Sequence, residues 1–241
     1  MNYAVIFAGG VGNRMNSKAK PKQFLEIHGK PIIVHTIEHF ENHPKIDAVC
    51  VVIVHEWLDF TKKLIEKFNL KKVKWIVAGG NSAIESQYNG LNQIRKVEGL
   101  DESDIVLIHD GVRPLINATI ITACIEGVKK YGSAVTVAPA IETIIRTEEN
   151  HIIKDTFERS ECQLARAPQS FFLKDILGAH ERAKSEACYN FVDSTSMMLH
   201  FGFKIHTVEG PSENIKVTNP SDFYICRALL DAKESSQIYG I

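Results

Sequence analysis

Along the chain, short runs of apolar and β-branched residues alternate with longer stretches in which apolar positions recur every three or four residues. YAVIF (3–7) precedes PIIVHTIEHF, AVCVVIV precedes EWLDFTKKLIEKF, VKWIV precedes a helical stretch over 83–97, DIVLIHD precedes NATIITACIEGVKKY, and AVTVAP follows. The first kind of run has the length and side chains of a buried strand, and the second has the period of a helix with one apolar face. Such alternation predicts the α/β class: a mainly parallel, twisted sheet flanked by helices, since parallel neighbours need crossovers and the crossover helices cover both faces. The chain shows no internal repeat, low-complexity tract or linker, so a single domain over 1–241 is expected.

The rhythm changes near residue 141. TIIRT and HIIK flank Glu148-Glu149-Asn150, and a polar stretch then runs to Pro168-Gln169. This pattern predicts a β-hairpin over about 141–166, either projecting from the sheet as an arm or folded back along its edge. Beyond it the pattern predicts a helix near 173–185, a strand near 204–208, a strand-like NIKVT at 214–218 and a last helix opened by Asn219-Pro220-Ser221-Asp222.

Composition adds exclusions. With 44% hydrophobic residues, 24% charged residues and a net charge of −1, the chain lacks the electrostatic footprint of a nucleic-acid or membrane-surface binder. Any bound anion must therefore meet a local cluster of cations. The longest apolar run, 48–54, falls far short of the roughly 20 residues that span a bilayer. Five scattered cysteines form no C-x-x-C pair and read as buried thiols of a cytoplasmic protein.

The local cluster lies in AGGVGNRMNSKAKPKQF, residues 8–24, directly after the first strand. Glycines between strand and helix let backbone N–H groups approach a phosphate. The dinucleotide fingerprint would need glycine at Met15, and a Walker A loop would need it at Ser17, so both fail. Arg14 and Lys22 either straddle one pocket mouth or belong to a solvated surface with Lys18 and Lys20. Asp110 ends a central strand, where a carboxylate suits Mg²⁺ or simply caps the next segment. Lys216, inside NIKVT, would need an anionic partner if buried. His35 and His39 share a helical face without a third ligand and read as helix surface or packing residues.

Taken together, residues 8–24, His109-Asp110-Gly111-Val112-Arg113-Pro114, Ala167-Pro168-Gln169 and Asn214-Ile215-Lys216-Val217-Thr218 occur in the order and spacing of one family. Over nearly its whole length the chain resembles the cytidylyltransferases that act on methylerythritol phosphate and ribitol phosphate. The resemblance implies a Rossmann-like nucleotidyltransferase fold whose projecting β-arm interlocks two subunits into a homodimer. It implies a reaction in which CTP and a polyol phosphate give a CDP-polyol and pyrophosphate, with Mg²⁺. By this likeness Arg14, Lys22 and Lys216 are catalytic, Ala8, Gly9, Gly10, Gly12, Gly80, Ser86 and Asp110 hold the nucleotide, and Asp110 also holds the metal. Arg113 and Thr143 meet the acceptor, together with Arg159 from the neighbouring subunit.

Ala8-Gly9-Gly10, Pro21-Lys22-Gln23-Phe24-Leu25, His35-Thr36-Ile37-Glu38 and Trp57 look more like the ribitol-phosphate branch, which serves teichoic-acid-like or capsular polymers. The alternative is the methylerythritol-phosphate branch of isoprenoid synthesis, and a more remote one is a nucleotide-binding module without catalysis. The chain departs from the family pattern at Ala83, where an arginine is usual, at Ala167 in the T-P-Q motif, and in the hydroxyl-rich residues after Asp193.

Overall fold

The computed structural model describes residues 1–9 and 20–239. Its strands are β1 (Asn2–Ala8), β2 (Glu26–Ile27), β3 (Lys30–Pro31), β4 (Ala48–Ile53), β5 (Val73–Ala78), β6 (Ile105–Asp110), β7 (Ser133–Pro139), β8 (Ile145–Thr147), β9 (Ile153–Thr156), β10 (Gln163–Phe172) and β11 (Thr207–Glu209). Its helices are α1 (Ile32–Glu41), α2 (Leu58–Lys67), α3 (Ala83–Glu98), α4 (Ala118–Tyr131), α5 (Leu173–Ser185), α6 (Ser194–His200) and α7 (Pro220–Tyr239).

Seven strands form the central sheet in the order β11-β7-β10-β6-β1-β4-β5. The pairs β1–β4, β1–β6, β4–β5 and β7–β11 are parallel, while β10 runs antiparallel to β6 and β7. Every residue of β4 and β6 is buried, which is why these strands read as unbroken apolar runs. One face packs against Ile33, Val34, Ile37 and Phe40 of α1 and Ile121, Cys124, Ile125 and Val128 of α4. The other meets Ile84, Leu91 and Ile94 of α3, Leu173, Ile176 and Leu177 of α5, and Met197 and Met198 of α6. These stripes follow the helical period, and each fully buried large side chain contributes about 1.5–3 kcal/mol of transfer free energy. Helix α3 lies close on the sheet at Gly90, where an added Cβ would stand 2.7 Å from Val52 and 2.8 Å from Val5.

The structure departs from the sequence pattern in several places. β10 occupies the sheet interior, although its Pro168 and polar neighbours argue against a central strand. The pairing with β7 shifts register between Ala165 and Gln169, so the proline, which has no N–H, falls in the irregular segment. NIKVT forms no strand; Val217 N–H donates to Val112 O at 2.9 Å. Helix α6 begins at a capping box formed by Asp193 and Ser196, a signal present in the sequence as D-S-T-S. Cys162 and Cys188 are half-buried, unlike Cys50, Cys124 and Cys226.

β8 and β9 form a separate antiparallel hairpin whose residues are all exposed, so it projects and does not fold back. The chain rejoins the main sheet at Gln163, opposite Pro139, which places the end of the 141–166 segment in the sheet. No described helix is long and apolar enough to cross a membrane.

His180 of α5 is fully buried, and neither of its ring nitrogens has a hydrogen-bond partner among the described residues. Burial, with a smaller push from Lys184, lowers its pKa from 6.5 to about 3. The folded state keeps the ring neutral while the unfolded chain takes up a proton below pH 6.5, so stability falls as pH drops below that value. Denaturant melts at pH 7.5 and pH 5 should show His180→Leu losing less stability than the parent between the two, by up to about 2 kcal/mol. Parallel losses in both proteins would contradict this.

Candidate active site

From β1 the chain proceeds to β4 and β5 on one side, then returns to β6 on the other. Ligands in open α/β sheets bind at such a reversal, beyond the carboxyl ends of the strands. A cavity of about 500 Å³ opens there. Phe7, Ala8 and Gly9 line it after β1, Val54 after β4, residues 80–83 and Ser86 after β5, and Asp110 and Val112 after β6. Lys22, Gln23 and Lys216 complete its wall. A smaller cavity of about 210 Å³ adjoins it, sharing Phe7, Ala83, Asp110 and Lys216, and is further lined by Arg113, Arg166, Gln169 and Asp193.

Lys22 is presented by a single 3₁₀ turn, Lys22–Phe24, held at two points. Gln23 is buried and donates from Nε2 to Ala8 O at 3.0 Å, tying the turn to the end of β1. Phe24 packs against Trp57 and Phe60, with ring centroids 4.9 Å away in each case. Trp57 therefore acts on the site indirectly, by anchoring the turn that carries Lys22.

On the opposite wall Ser82 caps α3 by accepting the Glu85 N–H at 3.1 Å, while Glu85 accepts the Asn81 N–H at 2.7 Å. The S-x-x-E pattern in the sequence signals this start. The Ser86 hydroxyl donates to Ser82 O at 2.8 Å and accepts the Gly80 N–H at 3.0 Å, tying residues 80–82 to the first turn of α3. A Cβ on Gly9 would stand 2.8 Å from that hydroxyl, so only glycine lets the first loop pass so close. The helix terminus adds partial positive charge to the cavity wall.

Where the cavities meet, Asp110 accepts from Arg113 Nε at 2.8 Å and lies 2.6 Å from Lys216 Nζ. Arg113 also donates to Asn214 O at 2.9 Å, and Asn214 Nδ2 donates to Ala167 O at 2.7 Å. Burial alone would raise the Asp110 pKa, but Lys216 and Arg113 hold it below the usual carboxylate value. The partner expected for Lys216 from its place in NIKVT is thus this carboxylate.

The structure brings Ala8, Gly9, Lys22, Gly80, Ser86, Asp110 and Lys216 to the larger cavity and Arg113 to the smaller one. Gly10, Gly12 and Arg14 lie outside the described residues. Thr143 and Arg159 line neither cavity; both are exposed in the arm region, where Arg159 donates to Ile141 O at 3.3 Å. Sequence reasoning passed over Gln23 and Arg166 as site residues, because a glutamine in a short turn and an arginine next to Ala-Pro carry no local signature.

A family model described as IspD, 2-C-methyl-D-erythritol 4-phosphate cytidylyltransferase, matches residues 2–232. The chain belongs to this family. As a cytidylyltransferase it is an enzyme of the nucleotidyltransferase class. The relatives it resembles include a ribitol-5-phosphate cytidylyltransferase of Streptococcus agalactiae serotype V, 51% identical over 241 residues, and one of Vibrio parahaemolyticus serotype O3:K6, 48% identical over 240. Both alignments cover 100% of each chain. The solved structure of 4-diphosphocytidyl-2C-methyl-D-erythritol synthase from Anaerococcus prevotii shares the fold, with a TM-score of 0.80 at 24% identity over 95% of this chain and 96% of that one.

Among the described residues lining the cytidylyltransferase's larger cavity, Asp110 is the only carboxylate. One carboxylate beside a phosphate-sized space fits the usual donor set of Mg²⁺, which takes one or two carboxylates plus phosphate oxygens. Glu186, Cys188 and His200 also place donor atoms within 4.8 Å of one another, but line neither cavity.

The clamp on Asp110 has a stability consequence. Asp110→Asn removes the charge that holds Arg113 in a buried position, and breaking a buried pair from one side costs about 3 kcal/mol or more. Urea unfolding should register that loss; an unchanged midpoint would mean that the two cations need no carboxylate.

Proposed function

We propose that the enzyme transfers the cytidylyl group of CTP to ribitol 5-phosphate, giving CDP-ribitol and pyrophosphate. The observation that carries this reading is the shared wall of the two cavities, where Arg113 and Lys216 converge on Asp110 between a larger and a smaller space. The full-length relatives named for ribitol 5-phosphate support the choice of acceptor.

In this reading CTP fills the larger cavity, with cytosine against the Gly80 backbone and the Ser86 hydroxyl. The triphosphate faces Ala8, Gly9 and Lys22; the roles expected of Gly10, Gly12 and Arg14 rest on the family resemblance alone. The acceptor occupies the smaller cavity with its phosphate toward Arg113, and Lys216, which lines both cavities, stands on the side of the α-phosphate. A phosphate monoester has a second pKa near 6 and is largely ionised at neutral pH, so no protein base is needed. One acceptor oxygen forms a bond to the α-phosphorus while the bond from that phosphorus to the bridging oxygen breaks. The bonding pair departs with pyrophosphate. Four crowded phosphate groups make alignment and charge neutralisation the main task of the protein. Asp110 is the residue that would hold Mg²⁺, which supplies further neutralisation of phosphate oxygens.

The arm supports a second element of this reading. Ile141, Ile145, Ile152 and Ile153 are 70%, 45%, 55% and 58% exposed on and around one hairpin, an apolar surface suited to a second copy of the chain. A homodimer would bring Arg159 of one subunit toward the acceptor of the other, with Thr143 beside it.

Pyrophosphate release with CTP, Mg²⁺ and a panel of polyol phosphates tests the assignment. Ribitol 5-phosphate should be turned over fastest, and Lys22→Ala should lower kcat by about 100-fold, as for loss of a transition-state charge stabiliser. Preference for 2-C-methyl-D-erythritol 4-phosphate would move the enzyme to the other branch, and no turnover would defeat both. For the arm, Ile153→Glu should yield monomers in light scattering and depress activity with ribitol 5-phosphate. A monomeric parent would remove the dimer from the scheme.

A further inference from the structure

The smaller cavity holds a cation that the scheme above does not use. Arg166 lines it beside Arg113 and Lys216. The guanidinium takes part in no salt bridge among the described residues, and its Nε is buried without a hydrogen-bond partner. Burial, followed by the nearby Arg113 charge, lowers its pKa. The carboxylates in the same wall are already engaged. Asp110 is shared by Arg113 and Lys216. Asp193 accepts from Gln169 Nε2 at 2.8 Å through one oxygen and from Ser196 N–H at 2.8 Å through the other.

The backbone accounts for the placement. Arg166 lies inside the register shift of β10 between Ala165 and Gln169. Irregularities of this kind re-aim side chains and occur beside active sites. Here the shift sets a guanidinium at the small cavity in a strand that is otherwise buried from Ala167 to Phe171. A half-buried cation with no salt-bridge partner, in the same lining as another cation, is costly unless an anion joins them.

We propose that Arg166 is a further binding residue for the acceptor, gripping the phosphate of the polyol phosphate opposite Arg113. This rests on the cytidylyl-transfer reading and extends it to a residue of this chain's own strand β10. Guanidinium groups suit the role because their fixed fork of donors matches phosphate oxygens. The acceptor phosphate would relieve the repulsion between the arginines, so part of the small cavity's preference for a phosphate ester is built into its lining.

Steady-state kinetics of Arg166→Gln and Arg166→Lys, with CTP and the acceptor varied separately, test the assignment. Arg166→Gln should raise the acceptor KM by about tenfold to a hundredfold, the range for loss of a charge-assisted hydrogen bond, while the KM for CTP stays within about twofold. Arg166→Lys should recover part of the loss. Inorganic phosphate should compete with the acceptor in the parent and less well in Arg166→Gln. Because the substitution removes an unpartnered charge, the variant should melt no lower than the parent. An unchanged acceptor KM in folded Arg166→Gln, a rise in the CTP KM instead, or a lowered melting temperature with unaltered kinetics would each overturn the proposal. Absence of turnover by the parent with every polyol phosphate would defeat the underlying reading, an outcome read from the parent alone.

Discussion

The site is organised by one carboxylate between two cations. Asp110 stands at the end of a strand whose six residues are all buried, so its position is set by the core and not by the loops around it. From there it fixes Arg113, three residues on, and Lys216, which belongs to a segment more than a hundred residues away. In a partly dry pocket the two cations would repel each other without the carboxylate. The charge of Asp110 therefore makes the local density of positive charge tolerable in a chain whose net charge is only −1.

The backbone of the same loop is held as tightly as its side chains. Asp110 O accepts Arg113 N–H, Gly111 O accepts the Thr36 hydroxyl, Val112 O accepts Val217 N–H, Arg113 O accepts His109 Nε2–H, and Pro114 O accepts His39 Nε2–H. Each carbonyl from 110 to 114 thus has a donor, and the donors come from the loop itself, α1, β6 and the 214–218 segment. Buried loops survive only when such groups are paired. The histidines serve because burial holds their pKa values down, to about 4 for His109, leaving a neutral ring that donates from Nε2. The helical spacing of His35 and His39, which suggests packing rather than metal binding, is explained in part by this contact to the loop.

The sheet and its helices were legible because burial on both faces writes itself into sequence as uninterrupted apolar strands and period-3.6 helices. β10 was not, because a strand returning antiparallel from an arm needs no crossover helix to announce it, and its proline sits in a register shift. NIKVT reads as a strand from its β-branched residues, yet its partners are the Asp110 loop and the cap of α7, where Asp222 accepts from Thr218 N–H at 2.7 Å. Motif order brought Asp110, Arg113 and Lys216 together before any geometry. Arg166 had no such help, since its importance depends on what does not pair with it, and that is a property of three-dimensional surroundings.

The two cations on Asp110 are not equivalent. Arg113 has a side chain 10% exposed and is braced by both Asp110 and Asn214 O, whereas the Lys216 side chain is 40% exposed. A guanidinium held in two directions is a fixed wall; an ammonium on a flexible stem can change partners at small cost. In the proposed reaction the triphosphate competes with a single carboxylate for Lys216, because it carries more negative charge. Lys216 can then follow the developing negative charge, while Asp110 is the residue that would hold a divalent cation and so help neutralise the phosphates. The ion pair keeps the lysine aimed at the junction of the cavities and keeps the carboxylate ionised.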